Sequence, residues 1–595
     1  MTGRSPVTFL AATWISLGSV ILLGACALTS GNEPNAPRSG SAAAGTPSAG
    51  TAIRSGGESA RPGGTLYYLT KRPPEHLDPQ RTSTARDLAN LGRLVYRSLV
   101  QFPVTDDPDR ATTPVPDLAT DTGTSEHGGR QWSFTLKDGV AWQDGKAITC
   151  QDVKYGLSRA FAAKELTGAP AYALGYLDVP RRQGVATYQG PGTTQGQADV
   201  DRAVSCRGRT ITYRFNRPWP DFPLAIAALR IFDPYRADRD RGVRSNLEIF
   251  SNGPYRLEGA WGPMSMSATF VRNPNYDPRT DGVRKALPDT IVFKLALPDE
   301  DIARRLIEDS GDDQTAVTDR TIPPAFFGQV TGSVAERSTL VRSSFTSFLM
   351  PNVTRMRSRT VRQAFAMATN KAAYSAALGG DRVSTPARSI INPLVPGYRA
   401  NPRFTAPDAG DPQRAKTLLQ RAGLRLPYPI TVFCPCGGTP EMDNALVALK
   451  KGWDAAGFLT TIDPLGTMAS FGVDPESDVV VTGQMVWWPT VSAVIPPAFD
   501  SRIVDDDATK YGPSYRHYTS TVVDTMIDEA MALGDPRQRA EAYAELDEHL
   551  GREFAYIPLD IPMFHRLHGS KITGYLEGPA TSMYVDLGAI GVREQ

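Results

Sequence analysis

The sequence is short of the residues on which most catalysis and metal binding depend: among 595 residues there are six His and five Cys. It contains no G-x-S-x-G, no H-E-x-x-H, no Gly-rich phosphate loop and no S-x-x-K placed for acyl transfer. His565 and His568 stand three apart near Asp560 and would face a common ligand only on a helix; two ordinary side chains near the chain end is the plainer reading. No pair of carboxylates stands out as an acid/base couple, so the chain is not read as an enzyme, and no cofactor or metal is expected. Charge of one sign is also lacking. The net charge of +1 offers no basic field to nucleic acid. Beyond the first thirty residues no apolar run approaches the length of a membrane-spanning helix, and there is no internal repeat. An apolar fraction of 41% and a charged fraction of 21% are those of ordinary globular protein.

What is present begins at the amino terminus. Arg4 is the only charge before an apolar run over residues 7–25, broken by Trp14, Ser16, Gly18 and Ser19. A short basic start followed by an apolar stretch is a secretory signal, predicted over residues 1–25. The run ends on Leu23-Gly24-Ala25-Cys26, a lipobox in which lipid is joined to the Cys26 sulfur and the chain is cut before it. An uncleaved anchor fits less well, because the run is short for a spanning helix. Residues 27–63 are rich in Gly, Ser, Ala, Pro and Thr and bury too little to offset the entropy of ordering. Residues 26–63 are therefore read as a lipidated Cys and a disordered tether reaching roughly 35 Å. The expected location is the outer face of the cytoplasmic membrane, lipid-anchored.

With Cys26 assigned to lipid, four cysteines remain, and outside the cell an even number points to disulfides. Cys150–Cys206 is the favoured pair and would contribute about 4 kcal/mol in the chain-entropy model. Cys434-Pro435-Cys436 stays open between a labile disulfide, two thiols and half of a metal site.

The body, from residue 64 onward, is too long for one simple core. Residues 64–69 and 131–136 read as strands, Asp138-Gly139 and Asp144-Gly145 as turns, residues 152–161 as a helix and 211–215 as a further strand. One apolar stripe of Val361, Ala364, Phe365, Ala368 and Ala372 predicts a helix over 361–378. Asp411-Pro412 and Asp535-Pro536 each place an N-cap Asp before Pro at the first helical position. Residues 431–433 and 479–482 read as strands between these helices, an alternation that argues for an α/β fold. Met485-Val486-Trp487-Trp488-Pro489 comes just after the last of them. Two adjacent Trp cannot both point into one core. Either one lines a cleft and stacks on a solute, or each fills a separate core.

The stretch Leu136-Lys137-Asp138-Gly139-Val140-Ala141-Trp142-Gln143-Asp144-Gly145, continued by Ile148-Thr149-Cys150-Gln151-Asp152-Val153-Lys154-Tyr155, resembles a signature of the family 5 extracellular solute-binding proteins, the peptide-binding receptors of ABC importers. Pro116-Asp117-Leu118-Ala119, Ser251-Asn252-Gly253-Pro254-Tyr255-Arg256-Leu257, Val271-Arg272-Asn273-Pro274-Asn275-Tyr276, Ser358-Arg359-Thr360-Val361-Arg362-Gln363-Ala364-Phe365 and Pro393-Leu394-Val395-Pro396-Gly397-Tyr398 resemble further blocks of that family, in order. The resemblance implies a two-lobed periplasmic-binding-protein-like fold of type II, with the solute enclosed between the lobes. Lobe one would take residues 64–300, with an extra subdomain at about 80–195. Lobe two would take 301–540, and 541–595 would return to lobe one. Closure desolvates the solute, so its charges must meet fixed partners.

One departure bears on the ligand. Peptide binders of this family usually carry an Asp for the terminal ammonium in the segment before P-P-x-F-D, here Ile495-Pro496-Pro497-Ala498-Phe499-Asp500; by spacing, Trp487 stands in its place. A buried ammonium without a counter-charge is costly, so either another acid supplies it or the solute lacks a free amine. Candidate ligand contacts are Trp487, Trp488 and Thr490, with Asn352 and Asn252. The resemblance implies an oligopeptide or similar solute, ABC permease subunits and the membrane as partners, no nucleic acid, and a monomer. The alternatives are a peptidase-like enzyme on a related scaffold and a peptide-signal sensor without import.

Overall fold

Alternation in Thr65–Leu69 sends Leu66 and Tyr68 to one face, and this short strand organises the first sheet. It runs parallel to Thr290–Lys294 on one side and to Ala316–Thr318 on the other. Ser267–Arg272 and Tyr255–Glu258 extend the sheet antiparallel beyond Thr290–Lys294. The computed structural model describes residues 53–55, 59–162, 171–182, 185–262, 264–434, 436, 438–463, 477–502 and 518–593. Cys26, the predicted signal and most of the predicted tether lie outside them. Among the described residues no helix is long and apolar enough to cross a membrane.

Leu66, Phe270, Ile291, Phe293 and Val317 of this sheet pack with Leu91 and Leu94 of the helix Ala85–Leu94. The block at 251–254 braces the end of that helix. Ser251 Oγ and the Asn252 and Gly253 N–H groups all donate to the Val95 carbonyl. A Cβ on Gly253 would lie 2.7 Å from the Leu94 carbonyl oxygen, so the close approach requires glycine there.

Gln131–Thr135 and Thr210–Arg214 form the centre of a four-stranded antiparallel sheet, with Thr124–Glu126 and Val204–Arg207 at its edges. The helix Cys150–Arg159, opened by a capping box of Thr149 and Asp152, packs on it. Cys150 at the helix start is bonded to Cys206 on an edge strand, Cα to Cα 5.9 Å.

The third sheet is mixed and seven-stranded. Phe345–Pro351 lies between Ile557–Leu567 and Val479–Met485, and Tyr428–Phe433 then Phe458–Asp463 continue it in parallel. Ser338–Arg342 and Ser384–Pro386 both pair with Ile557–Leu567. Phe365 of the helix Arg359–Ala368 stacks on Trp453 of the helix Pro440–Ala455, centroids 4.5 Å apart, above Val432 and Val481. The single helix expected over 361–378 is two, Arg359–Ala368 and Lys371–Leu378. Asn370 caps the second by accepting from the Ala373 N–H, and Gly452 leaves room for the Ala368 carbonyl at the break. Short polar side chains favour such caps over helix interiors. Cys434, at the end of Tyr428–Phe433, is bonded to Cys436.

The chain leaves the third sheet after Leu567 and returns to the first core, where Ile572, Tyr575, Val585, Leu587 and Ile590 are buried. Two stretches of the expected tether meet the body. Ile53–Ser55 pairs antiparallel with Tyr575–Glu577, and Gly63 N–H donates to Leu287. Backbone pairing at a sheet edge needs no apolar side chain, so composition gives no sign of it. Where the body begins and ends, Gly64 lies against Val592, and Gly591 against the Arg61 backbone, each with no room for a Cβ.

Candidate functional site

The largest core runs from the four-stranded sheet into the seven-stranded one: Trp219 and Phe222 share it with Phe348, Trp488, Phe499 and Tyr556. Beside it lies a small cavity that is partly open to solvent. One wall comes from Leu88, Ala89 and Arg93 of the helix Ala85–Leu94, from Gln101 and Phe102, and from Ala227, Ala228 and Arg230. The opposite wall is Val486 to Pro489 with Leu394 and Ser344, and Pro579 to Ser582 closes a third side.

The two tryptophans divide their tasks. Trp488 is buried, its indole N–H donates to Ser492 Oγ at 3.0 Å, and its ring lies 6.3 Å from Tyr172 and 6.4 Å from Trp219. Trp487 is half-buried at the cavity, and its indole has no hydrogen-bond partner among the described residues. Thr490 belongs to a clasp just behind them. Its hydroxyl and that of Ser492 donate to Asp221 Oδ2 at 3.0 and 2.6 Å, and Arg539 Nη2 donates to Asp221 Oδ1 at 2.8 Å. A second clasp holds Asp500 of the P-P-x-F-D run, which accepts from Arg217 and Arg502 at 2.9 and 2.8 Å. Both clasps link residues near the four-stranded sheet to the half that carries the seven-stranded one.

Asn352 and Asn252 stand elsewhere. Asn352 Oδ1 accepts from the Thr354 N–H and hydroxyl, tightening the chain after Phe345–Pro351. Asn252 Oδ1 accepts from the Arg97 N–H at 2.9 Å. Neither lines the cavity. An Asn that bonds backbone two residues on, as Asn352 does, is acting as a turn-former.

The polar groups that do line the cavity carry no local signal in the sequence. Arg93 Nε donates to Asp586 at 2.9 Å and its Nη1 to the Phe102 carbonyl at 2.8 Å, while Nη2 is buried without a partner. Arg230 Nη2 donates to the Ala227 carbonyl at 2.6 Å and Nη1 faces Asp233 Oδ2 at 3.3 Å, while Nε is buried without a partner. Burial pushes the Asp233 carboxyl up to about 7, against the opposing pull of Arg230. Gln101 turns its Oε1 to the Phe102 N–H, leaving its amide nitrogen unpaired among the described residues. His565 and His568 lie apart from the cavity, on and just after Ile557–Leu567, and no cluster of His, Cys, Asp or Glu fit to hold a metal occurs among the described residues.

Residues 113–505 match the family of bacterial extracellular solute-binding proteins, family 5 (middle region). The chain is 23% identical over 521 residues to the dipeptide-binding protein of Escherichia coli (strain K12), covering 81% of this chain and 86% of that protein. It is 25% identical over 226 residues to di/tripeptide-binding protein 2 of Pseudomonas aeruginosa (strain UCBPP-PA14), a match that spans 37% of this chain and 41% of that protein. Among solved structures, clavulanic acid biosynthesis oligopeptide binding protein 2 superposes with a TM-score of 0.80 at 26% identity, over 92% of this chain and 99% of that one.

Proposed function

Because the chain belongs to the bacterial extracellular solute-binding proteins of family 5, with their two-lobed α/β fold, we propose that it captures an oligopeptide or similar solute in the cavity at Trp487 and delivers it to an ABC importer. The relatives named above are binding proteins by name, and the reading extends what they bind to this chain. The feature that supports it is the make-up of the cavity, whose walls come from residues 88–230, 344–489 and 579–582; on the two-lobe reading it would lie between the lobes. Bringing them together removes a solute from water and places it against fixed donors and apolar faces. A shape formed only on closure is also one that a permease can tell from the open form.

Incubating the purified full chain with pools of short peptides tests this. A solute bound only by the folded form raises the melting temperature by mass action, and native mass spectrometry of the purified chain should reveal a co-purified solute. The reading fails if no pool raises the melting temperature and no solute co-purifies. Anchoring at Cys26 is part of the same proposal. Cells fed a labelled fatty acid should label the parent chain, and Cys26→Ser should lose the label and leave the cell surface. Turnover of a peptide by the purified chain would instead favour an enzyme, and signalling without uptake would favour a sensor.

A further inference from the structure

The charged groups around the cavity are unevenly distributed. No Asp or Glu is among the described residues that line it, whereas Arg93 and Arg230 both do. Each guanidinium is fixed from behind, Arg93 by Asp586 and the Phe102 carbonyl, Arg230 by Asp233 and the Ala227 carbonyl. Nη2 of Arg93 and Nε of Arg230 have no acceptor but are shielded from solvent, Nε lying against Gly92 of the helix Ala85–Leu94. An oxyanion in the cavity meets the positive field of two guanidinium groups. The Gln101 amide nitrogen and the Trp487 indole N–H add two donors from opposite walls. An ammonium in the same space would meet two guanidinium groups, with no carboxylate among the described lining residues.

Resting on the receptor reading above, we infer that this cavity takes the anionic end of its solute: an oxyanion, carboxylate or phosphate, beside a flat apolar group, with no ammonium. Phe102, Leu394 and the Trp487 ring supply the apolar faces. The anion specifies the end that enters, and the rings hold the apolar group next to it.

The test uses one pool of randomised tripeptides in four forms (free, N-acetylated, C-amidated, and capped at both ends), with phenyl phosphate beside them. Affinity for the purified full chain is read by calorimetry. The N-acetylated pool should bind as well as the free pool, and amidation should weaken binding at least about tenfold, the loss of one charge-assisted pair. Arg230→Gln and Arg93→Gln should abolish the difference between free and amidated pools. Trp487→Phe, which keeps the ring and the fold but removes an N–H, should narrow it. Binding of phenyl phosphate in place of the acetylated pool would assign the phosphate. The inference is overturned if amidation changes nothing, or if acetylation abolishes binding. Silence of every pool and of phenyl phosphate removes the receptor reading itself.

Discussion

His565 and His568 are neutral in the folded protein because burial, more than any partner, decides their protonation: each is pushed down to about 4. In the unfolded chain a His titrates near 6.5, so between those values the unfolded form binds more protons. The contribution of both is present above pH 6.5 and is lost as pH falls toward 4. Asp547 and Asp560 work the other way, since burial pushes each up to about 6. Their contribution is present below the unfolded carboxylate pKa and is lost as pH rises through 6. Asp560 Oδ2 accepts from the Ser384 hydroxyl and its Oδ1 has no partner. Asp560→Asn should therefore remove one opposing slope, so that the melting temperature falls more steeply from pH 6.5 to 4 than in the parent. His568→Gln should flatten the same curve. Melting curves that remain parallel to the parent would refute both assignments.

The helix Cys150–Arg159 is tied to the strand Val204–Arg207 by the Cys150–Cys206 bond, which closes a loop of 56 residues in sequence separation. In the chain-entropy model such a loop contributes about 4 kcal/mol. The double variant Cys150→Ser, Cys206→Ser should lower the stability of the four-stranded sheet first, seen as a separate, earlier transition in calorimetry; a single unshifted transition would contradict this. Elements of this kind were legible in the sequence wherever one physical pattern dominated. Alternation marks Thr65–Leu69, Gln131–Thr135 and Thr210–Arg214, and an Asp-Pro start marks Pro412–Arg421 and Pro536–Glu553. Two patterns superposed at 361–378, where the apolar stripe continues across Asn370 although its side chain ends one helix and starts the next. Ile53–Ser55 was not legible, since its pairing with Tyr575–Glu577 is backbone to backbone.

If the proposed receptor closes on its solute, the clasps at Asp221 and Asp500 would hold the closed form, and neither Asp lines the cavity itself. Asp221→Asn should loosen the closed form and weaken every solute alike by about 2–5 kcal/mol, the cost of breaking a buried hydrogen-bonded charge pair. Arg230→Gln should instead discriminate between solutes. The difference is readable by calorimetry, and small-angle scattering of the D221N chain should report a larger radius of gyration. Equal closure in parent and variant would dismiss the clasp. Half of this site was visible from sequence, because Trp487 and Trp488 announce themselves as an adjacent aromatic pair. Arg93, Gln101, Arg230 and Ser582 were not, because each is an ordinary residue until strands hundreds of positions apart bring them to one space. The meeting of Gly64 with Val592 and of Gly591 with the Arg61 backbone carries one more consequence. Both ends of the body finish at one corner, so a circular permutant is feasible. Joining residue 593 to residue 59 by a short linker and reopening the chain at Gly423, in the exposed turn after Pro412–Arg421, should give a protein that folds and binds as the parent does.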